Sequence, residues 1–519
     1  MGQLTSFDTA VLVLYLGGLF AMGLYFSGKN KSTEEYFLGG RRFSGWVIGL
    51  SLVGTSISSI TFLAYPGDAY KTAWLRFLPN LMLPVAVLIA AKYFLPFLRR
   101  HKTTTAYEYL EFRFGPTIRV YGAVAFIVAQ VVRISLILYL VSLMLQEITG
   151  LDATLCILIA GIVVAAYTII GGINAVIWTD VIQTIVLLLG GAACLLVIVT
   201  ALPGGFGQII DVATQDGKLT FAELRSGNLV PVGWELSLQS KTASMMLIIG
   251  LLSWLTEYSS NQNTVQRFCA SRSEHEARKA MYICAIVSLP TWAFFMFLGT
   301  ALYVFFQVFP ATQASEILLG ERKAEEILPF FIITHLPSGL VGLVVAAALA
   351  AAMSSLDSSI NAISTVSISD IYRRHINKKS DDAHYLRVAK IIATVTGLVM
   401  ILGAIYLTKT ETKTLQDTAT ILTSLLAGGL LSIYCIGFFT ERGDARHILF
   451  GIIGTMMFTG WTILSSRSLV SDSISFPFDL YYTGLIGNII MFILAFGLSL
   501  ALVSNKGSHK GRAGLSIWS

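Results

Sequence analysis

The chain has 519 residues, 55% of them hydrophobic and only 13% charged, with a formal net charge of +6. Soluble domains carry about 25% charged residues, so a chain this long and this poor in charge cannot cover a water-facing surface. That excludes a soluble globular protein. The positive charges sit in short loops between apolar runs, so membrane topology accounts for them better than a nucleic-acid surface does. The five cysteines lie in or beside apolar runs, with no metal-ligand spacing and no disulfide framework, and read as small buried hydrophobes.

Thirteen apolar segments of spanning length follow in chain order: 8–26, 44–66, 75–98, 120–146, 153–171, 175–201, 243–260, 280–307, 329–368, 387–408, 416–438, 447–465 and 480–503. The first has no basic leader and no small-residue cleavage site, so it reads as a span and not as a signal peptide. With the N-terminus outside, the inward loops and helix ends hold 25 of the 36 Lys and Arg. That bias sets the N-terminus outside and the C-terminus in the cytoplasm. The expected fold class is an all-α, multi-pass protein of the plasma membrane, surrounded by lipid, in a single domain. Segments 2–6 (44–201) and 7–11 (243–438) form two groups of five, with 8–26 and 447–503 peripheral. An odd number of spans per group inserts the two with opposite orientation, as in inverted-repeat transporters.

Polar residues at membrane depth are expensive and need a reason. Segment 2 carries Gly49, Gly54, Thr55, Ser56, Ser58, Ser59 and Thr61, followed by Pro66 and Gly67. Such a run makes a weak continuous helix, and an unwound stretch frees carbonyls for a cation or a substrate. The alternative is hydroxyls bonded back to their own helix. In the fourth segment Arg133 sits midway along a 27-residue apolar run with no acid within two turns. Its fork suits a ligand carboxylate or a protein carboxylate on another helix. In the sixth, Asp180 follows the Gly171-Gly172 turn and either balances a cation or pairs with an Arg or Lys. In the ninth, Ser354, Asp357, Ser358 and Asn361 share one helical face behind a run of alanines. Hydroxyls, carbonyls and one carboxylate suit a hard monovalent cation; the alternative is a small-residue packing helix. Segment 7 adds Glu257, Asn261, Gln262, Asn263, Gln266 and Arg267 near one end, read as vestibule or interface.

These patterns, with Glu34-Glu35-Tyr36-Phe37-Leu38-Gly39-Gly40-Arg41, Ala106 through Gly115, Asn261-Gln262 to Gln266-Arg267, and Met353-Ser354-Ser355-Leu356-Asp357-Ser358 to Asp370-Ile371-Tyr372, resemble the sodium/solute symporter family. Ser58 to Thr61, Pro66, Arg133 with Tyr139, and Trp178-Thr179-Asp180 look most like its bacterial sialic acid symporters. The resemblance implies two inverted five-helix repeats of the LeuT-like kind and a transporter, not an enzyme, working as a monomer. It implies a first sodium site from the carbonyls of Gly54, Ile57 and Ala351 and the hydroxyls of Ser354 and Ser355. It also implies a second sodium on Asp180, Ser354 and Ser358, with Asp357 standing where those symporters have a serine. Substrate would meet Ser56, Ser58, Thr61 and Asn80, with Arg133 on a carboxylate. The expected activity is sodium-coupled import of an acidic sugar, sialic acid first. A neutral sugar or another small solute is the alternative, and a channel a distant one.

Overall fold

The structure, a computed structural model, describes residues 4–100, 102–225, 227–409, 429–466, 469–501 and 515–516. Among them, nine helices are long and apolar enough to cross a membrane, and a tenth crossing is a bent pair. The helices used below are α1 (Ser6–Ser27), α2 (Gly45–Ser56), α3 (Tyr65–Lys71), α4 (Pro116–Thr149), α5 (Ala153–Ala201), α6 (Ala243–Ser260), α7 (Gln262–Ala270), α8 (Glu274–Val308), α9 (Leu340–Val366), α10 (Asp382–Thr408), α11 (Leu430–Phe439), α12 (Ala445–Ser466) and α13 (Thr483–Ala501). A short hairpin, β1 (Ala222–Arg225) paired antiparallel with β2 (Asn228–Pro231), lies in the loop between α5 and α6.

Against thirteen expected spans, nine helices and one bent pair qualify among the described residues; the expected 243–260 is found as the helix α6 but is not one of the nine, and other differences have local physical causes. The expected pair 153–171 and 175–201 forms one long helix, α5, broken at Gly172. Gly172 has φ 56° and ψ −158°, a conformation only glycine adopts at low cost, and Tyr36 packs against the space a side chain would fill. The expected span 329–368 is interrupted. A short helix, Ile327–His335, ends before Pro337-Ser338-Gly339, and α9 begins at Leu340 with Gly339 at φ 91°. The proline and the left-handed glycine together break the helical run. Of the expected span 416–438, residues 416–428 lie outside the described residues; the described remainder is α11.

α9 is buried along nearly all its length, so it forms the axis of the bundle. Its small residues permit close approach: a Cβ on Gly190 of α5 would meet Ala347 of α9 at 2.3 Å. α1 joins the same core through Asp8, which first closes its own helix start in a capping box with Thr5. The other Asp8 oxygen accepts the backbone N–H groups of Gly339 (2.8 Å) and Gly342 (2.7 Å) at the start of α9. A buried carboxylate there satisfies orphan donors and meets the positive end of the helix dipole. At one end of the bundle Arg119 binds Glu111 and Asp370, each at 2.6 Å, and Arg374 also pairs with Glu111. Outward faces of α1, α8, α10 and α12 are apolar, as at Leu14, Ile286, Leu402 and Met457.

Candidate functional site

The hydroxyl-rich second segment is broken where its composition predicts. α2 stops at Ser56, and Ile57 is extended at φ −101°, ψ 109°. The chain then re-enters a helical path through the wide turn Ile60–Ala64 and α3, bent by 60° from α2. The break lies against α9. The Ser354 hydroxyl donates to the Gly54 carbonyl at 2.8 Å and approaches the Ala351 carbonyl at 3.3 Å. Ser355 reaches the Thr55 carbonyl at 3.4 Å. Gly54 is needed at this crossing because a Cβ would stand 2.9 Å from Thr184 Oγ1 on α5. Gly54, Ala351, Ser354 and Ser355 therefore meet at one buried junction of carbonyls and hydroxyls. Ile57 adjoins it as the residue at which the helix ends. Neutral oxygens gathered at an unwound helix are the donor set a monovalent cation takes.

A second polar cluster lies one turn away. Asp180 Oδ2 accepts Arg267 at 2.7 Å and the Ser51 hydroxyl at 2.5 Å. Arg267 also donates to Ser358 (2.6 Å), Ser51 (2.7 Å) and the Asn263 carbonyl (2.7 Å). Of the two roles left open for Asp180, pairing with a basic residue is thus filled on one oxygen, while Oδ1 is buried with no hydrogen bond. Asp357 accepts the Tyr167 hydroxyl at 2.6 Å and contacts Ser358 (3.2 Å) and Thr179 (3.4 Å). Ser358 touches Asp357 directly and reaches Asp180 through Arg267, and Ser354 sits one turn before it on α9. With both carboxyls ionised, the two aspartates and Arg267 would sum to one negative charge. The Tyr167, Ser51 and Arg267 contributions were not legible in sequence. Arg267 read as a vestibule or interfacial residue; it lies six residues past the α6–α7 break at Asn261.

Beside these clusters lies a cavity of about 400 Å³. That is within the usual range of about 300–1,000 Å³ for small-molecule sites. Ser56 from the broken segment and Gln130 and Arg133 from α4 all line it. Among the described residues Arg133 has no hydrogen bond or ion pair, so its guanidinium faces the cavity unopposed. Ser58, Thr61 and Asn80 are buried but do not line this cavity. The backbone N–H of Ile60 donates to the Ser58 hydroxyl (3.3 Å), and Asn80 donates to the Tyr65 hydroxyl (2.9 Å). The bend carries Ile60 to the cavity wall in their place. The α6 face of the cavity supplies Trp254 and Glu257.

A family model described as the sodium:solute symporter family matches residues 36–454. The chain belongs to the sodium:solute symporter family. It is therefore an integral membrane protein of the sodium-coupled transporter class, not an enzyme. The sodium/sialic acid symporter NanT of Aliivibrio fischeri is 30% identical over 96% of this chain and 94% of its own length. The sodium/sialic acid symporter SiaT of Proteus mirabilis is 33% identical over 86% of this chain and 87% of its own. Among solved structures, a substrate-bound, outward-open Na+-coupled sialic acid symporter superposes with a TM-score of 0.85 at 29% identity, covering 96% of this chain and 98% of that one.

Proposed function

We propose that this chain imports an acidic sugar, sialic acid foremost, coupled to sodium entering down its gradient. The observation that carries the reading is Arg133, unpaired among the described residues, in a cavity that also holds Ser56, two residues from Gly54 of the Gly54–Ser354 junction. A membrane-depth arginine without a protein partner is costly, and a substrate carboxylate offsets that cost through two parallel hydrogen bonds. The sialic acid relatives support the choice of substrate.

In this reading the first sodium binds the carbonyls of Gly54, Ile57 and Ala351 and the hydroxyls of Ser354 and Ser355. A second binds Asp180, Ser354, Asp357 and Ser358, where the net negative charge favours a cation. Ser56 and Arg133 hold the substrate; Ser58, Thr61 and Asn80 join them when the bundle rearranges. The chain crosses the membrane thirteen times, N-terminus outside and C-terminus in the cytoplasm. Inverted repeats 44–201 and 243–438 rock against each other within a lipid-embedded monomer. Two sodium ions with one monocarboxylate carry one net positive charge, which gains about 2.3 kcal/mol per 100 mV.

The test is a binding screen of sialic acids, hexoses, amino acids and short carboxylates with and without sodium, repeated on Arg133→Gln. Sodium-dependent binding of N-acetylneuraminate that R133Q abolishes is the expected result. Sodium-dependent binding of hexoses alone, unchanged in R133Q, would instead support a neutral sugar.

A further inference from the structure

The cavity has a second charged wall that the carboxylate reading leaves unused. On α6, residues 249, 252, 253, 256, 257 and 260 line it, the repeat of one helical face. Glu257 is the acid on that face. Its Oε2 accepts the Asn261 side-chain amide (2.6 Å) and its Oε1 the Thr264 hydroxyl (2.5 Å), both neutral donors. Among the described residues no lysine, arginine or histidine pairs with it, and Arg133, on the facing helix α4, lines the same cavity without a partner. The site thus carries one cation and one anion that do not neutralise each other. Trp254, three residues before Glu257 on the same face, also lines the cavity, with its ring 5.2 Å from that of Trp292. A carboxylate beside an indole face is the pairing that recognises an ammonium group.

From this we infer that Glu257 and Trp254 form an ammonium subsite opposite Arg133, so that a sugar acid carrying a protonated amine binds more tightly than its own N-acetyl form. The inference rests on the carboxylate reading of Arg133 above. Charge accounting favours it over a diol on Glu257. A monoanion pairs Arg133 but leaves Glu257 in a half-buried site with neutral partners only, whereas a zwitterion pairs both, and unpaired buried charge is the costlier state.

A matched pair of probes separates the cases: 2-amino-2-deoxyglucuronic acid and its N-acetyl derivative, with N-acetylneuraminate as a third. Amine and carboxylate stand on opposite sides of one ring; acetylation removes the positive charge and adds an acetyl group, so the Glu257→Gln comparison isolates the contribution of charge. Binding to the full-length purified protein in sodium is measured by calorimetry. The expected result is at least about tenfold tighter binding of the free amine, a gap of about 1.4 kcal/mol. Glu257→Gln should bring the ratio to about one, and Trp254→Leu should lower it. The wild-type ratio needs no variant, so the test survives a variant that fails to fold. A ratio at or below one, with sodium-dependent binding of N-acetylneuraminate, overturns the ammonium subsite and leaves the carboxylate reading standing. A preference that E257Q leaves intact also overturns it. No sodium-dependent binding of any of the three overturns both readings.

Discussion

Arg267 and Asp180 form an ion pair at 2.7 Å inside the bundle, their side chains 1% and 0% exposed. The pair joins α7 to α5 and, through Ser51 and Ser358, to α2 and α9. Four helices that shape both polar clusters are therefore held by one guanidinium. Removing one partner of such a pair leaves a buried charge and costs about 3–5 kcal/mol. Asp180→Asn and Arg267→Gln should each lower the unfolding temperature in detergent sharply. Asp180→Leu with Arg267→Met should recover part of that loss while abolishing any sodium-induced stabilisation that needs Asp180. A double variant no more stable than the singles would contradict the account.

Ser354 tests the first cation site. Its hydroxyl makes one good hydrogen bond, to the Gly54 carbonyl, and a net hydrogen bond contributes about 1 kcal/mol. Ser354→Ala should leave the fold largely intact yet raise the sodium concentration for half-maximal binding by about tenfold or more. Sodium titration by intrinsic tryptophan fluorescence reads the shift. An unchanged midpoint would remove Ser354 from the site.

Asp357 tests the second. It is fully buried, and among the described residues hydroxyl donors surround it without a direct cationic partner. Asp357→Asn keeps its volume and removes the surplus charge of the cluster. Sodium cooperativity should fall toward a Hill coefficient of about one, since a site lost from a coupled pair leaves single-site binding. A variant with unaltered cooperativity would make Asp357 a structural acid.

At the charged end of the bundle the prediction concerns pH. Partial burial works to raise the Glu111 carboxyl, but hydrogen bonds and charge from Arg119 and Arg374 outweigh it and hold the carboxyl below its ordinary range. A depressed folded-state value stabilises the protein above the unfolded carboxylate value, about 4.3, and that stabilisation is lost as pH falls through the folded value. Thermal stability should therefore drop on acidification below about pH 4, and Glu111→Gln should shallow that part of the profile. A profile identical to that of the wild type would exclude Glu111 as a contributor.

Much of this was legible in the chain because the signals are local. Span lengths follow from apolar runs, and the break after Ser56 follows from five hydroxyls within seven positions behind Gly54. The shared face of Ser354, Asp357 and Ser358 follows from helical period. Pairing between helices is not local. Asp180 lies 87 residues from Arg267 and Asp357 lies 190 from Tyr167, and no periodicity encodes which helices meet. The same limit explains Ser58 and Thr61, whose hydroxyl character was readable but whose direction depends on a 60° bend, and Asn80, whose amide is turned to the Tyr65 hydroxyl. Glu257 was visible only as a vestibule or interfacial acid; that it shares a cavity with Arg133 needed the placement of α4 and α6 on two sides of one space.

The central claim is sodium-driven movement of a carboxylate sugar, and uptake into proteoliposomes tests it most directly. Labelled N-acetylneuraminate is followed with an inward sodium gradient, with potassium in its place, and with R133Q. The account predicts accumulation above equilibrium only with sodium, enhanced by an inside-negative potential, and loss of uptake in R133Q. Breaking a desolvated charge pair with substrate costs about 2–5 kcal/mol, a loss of at least about thirtyfold in affinity. Accumulation that is equal in sodium and potassium would contradict the account.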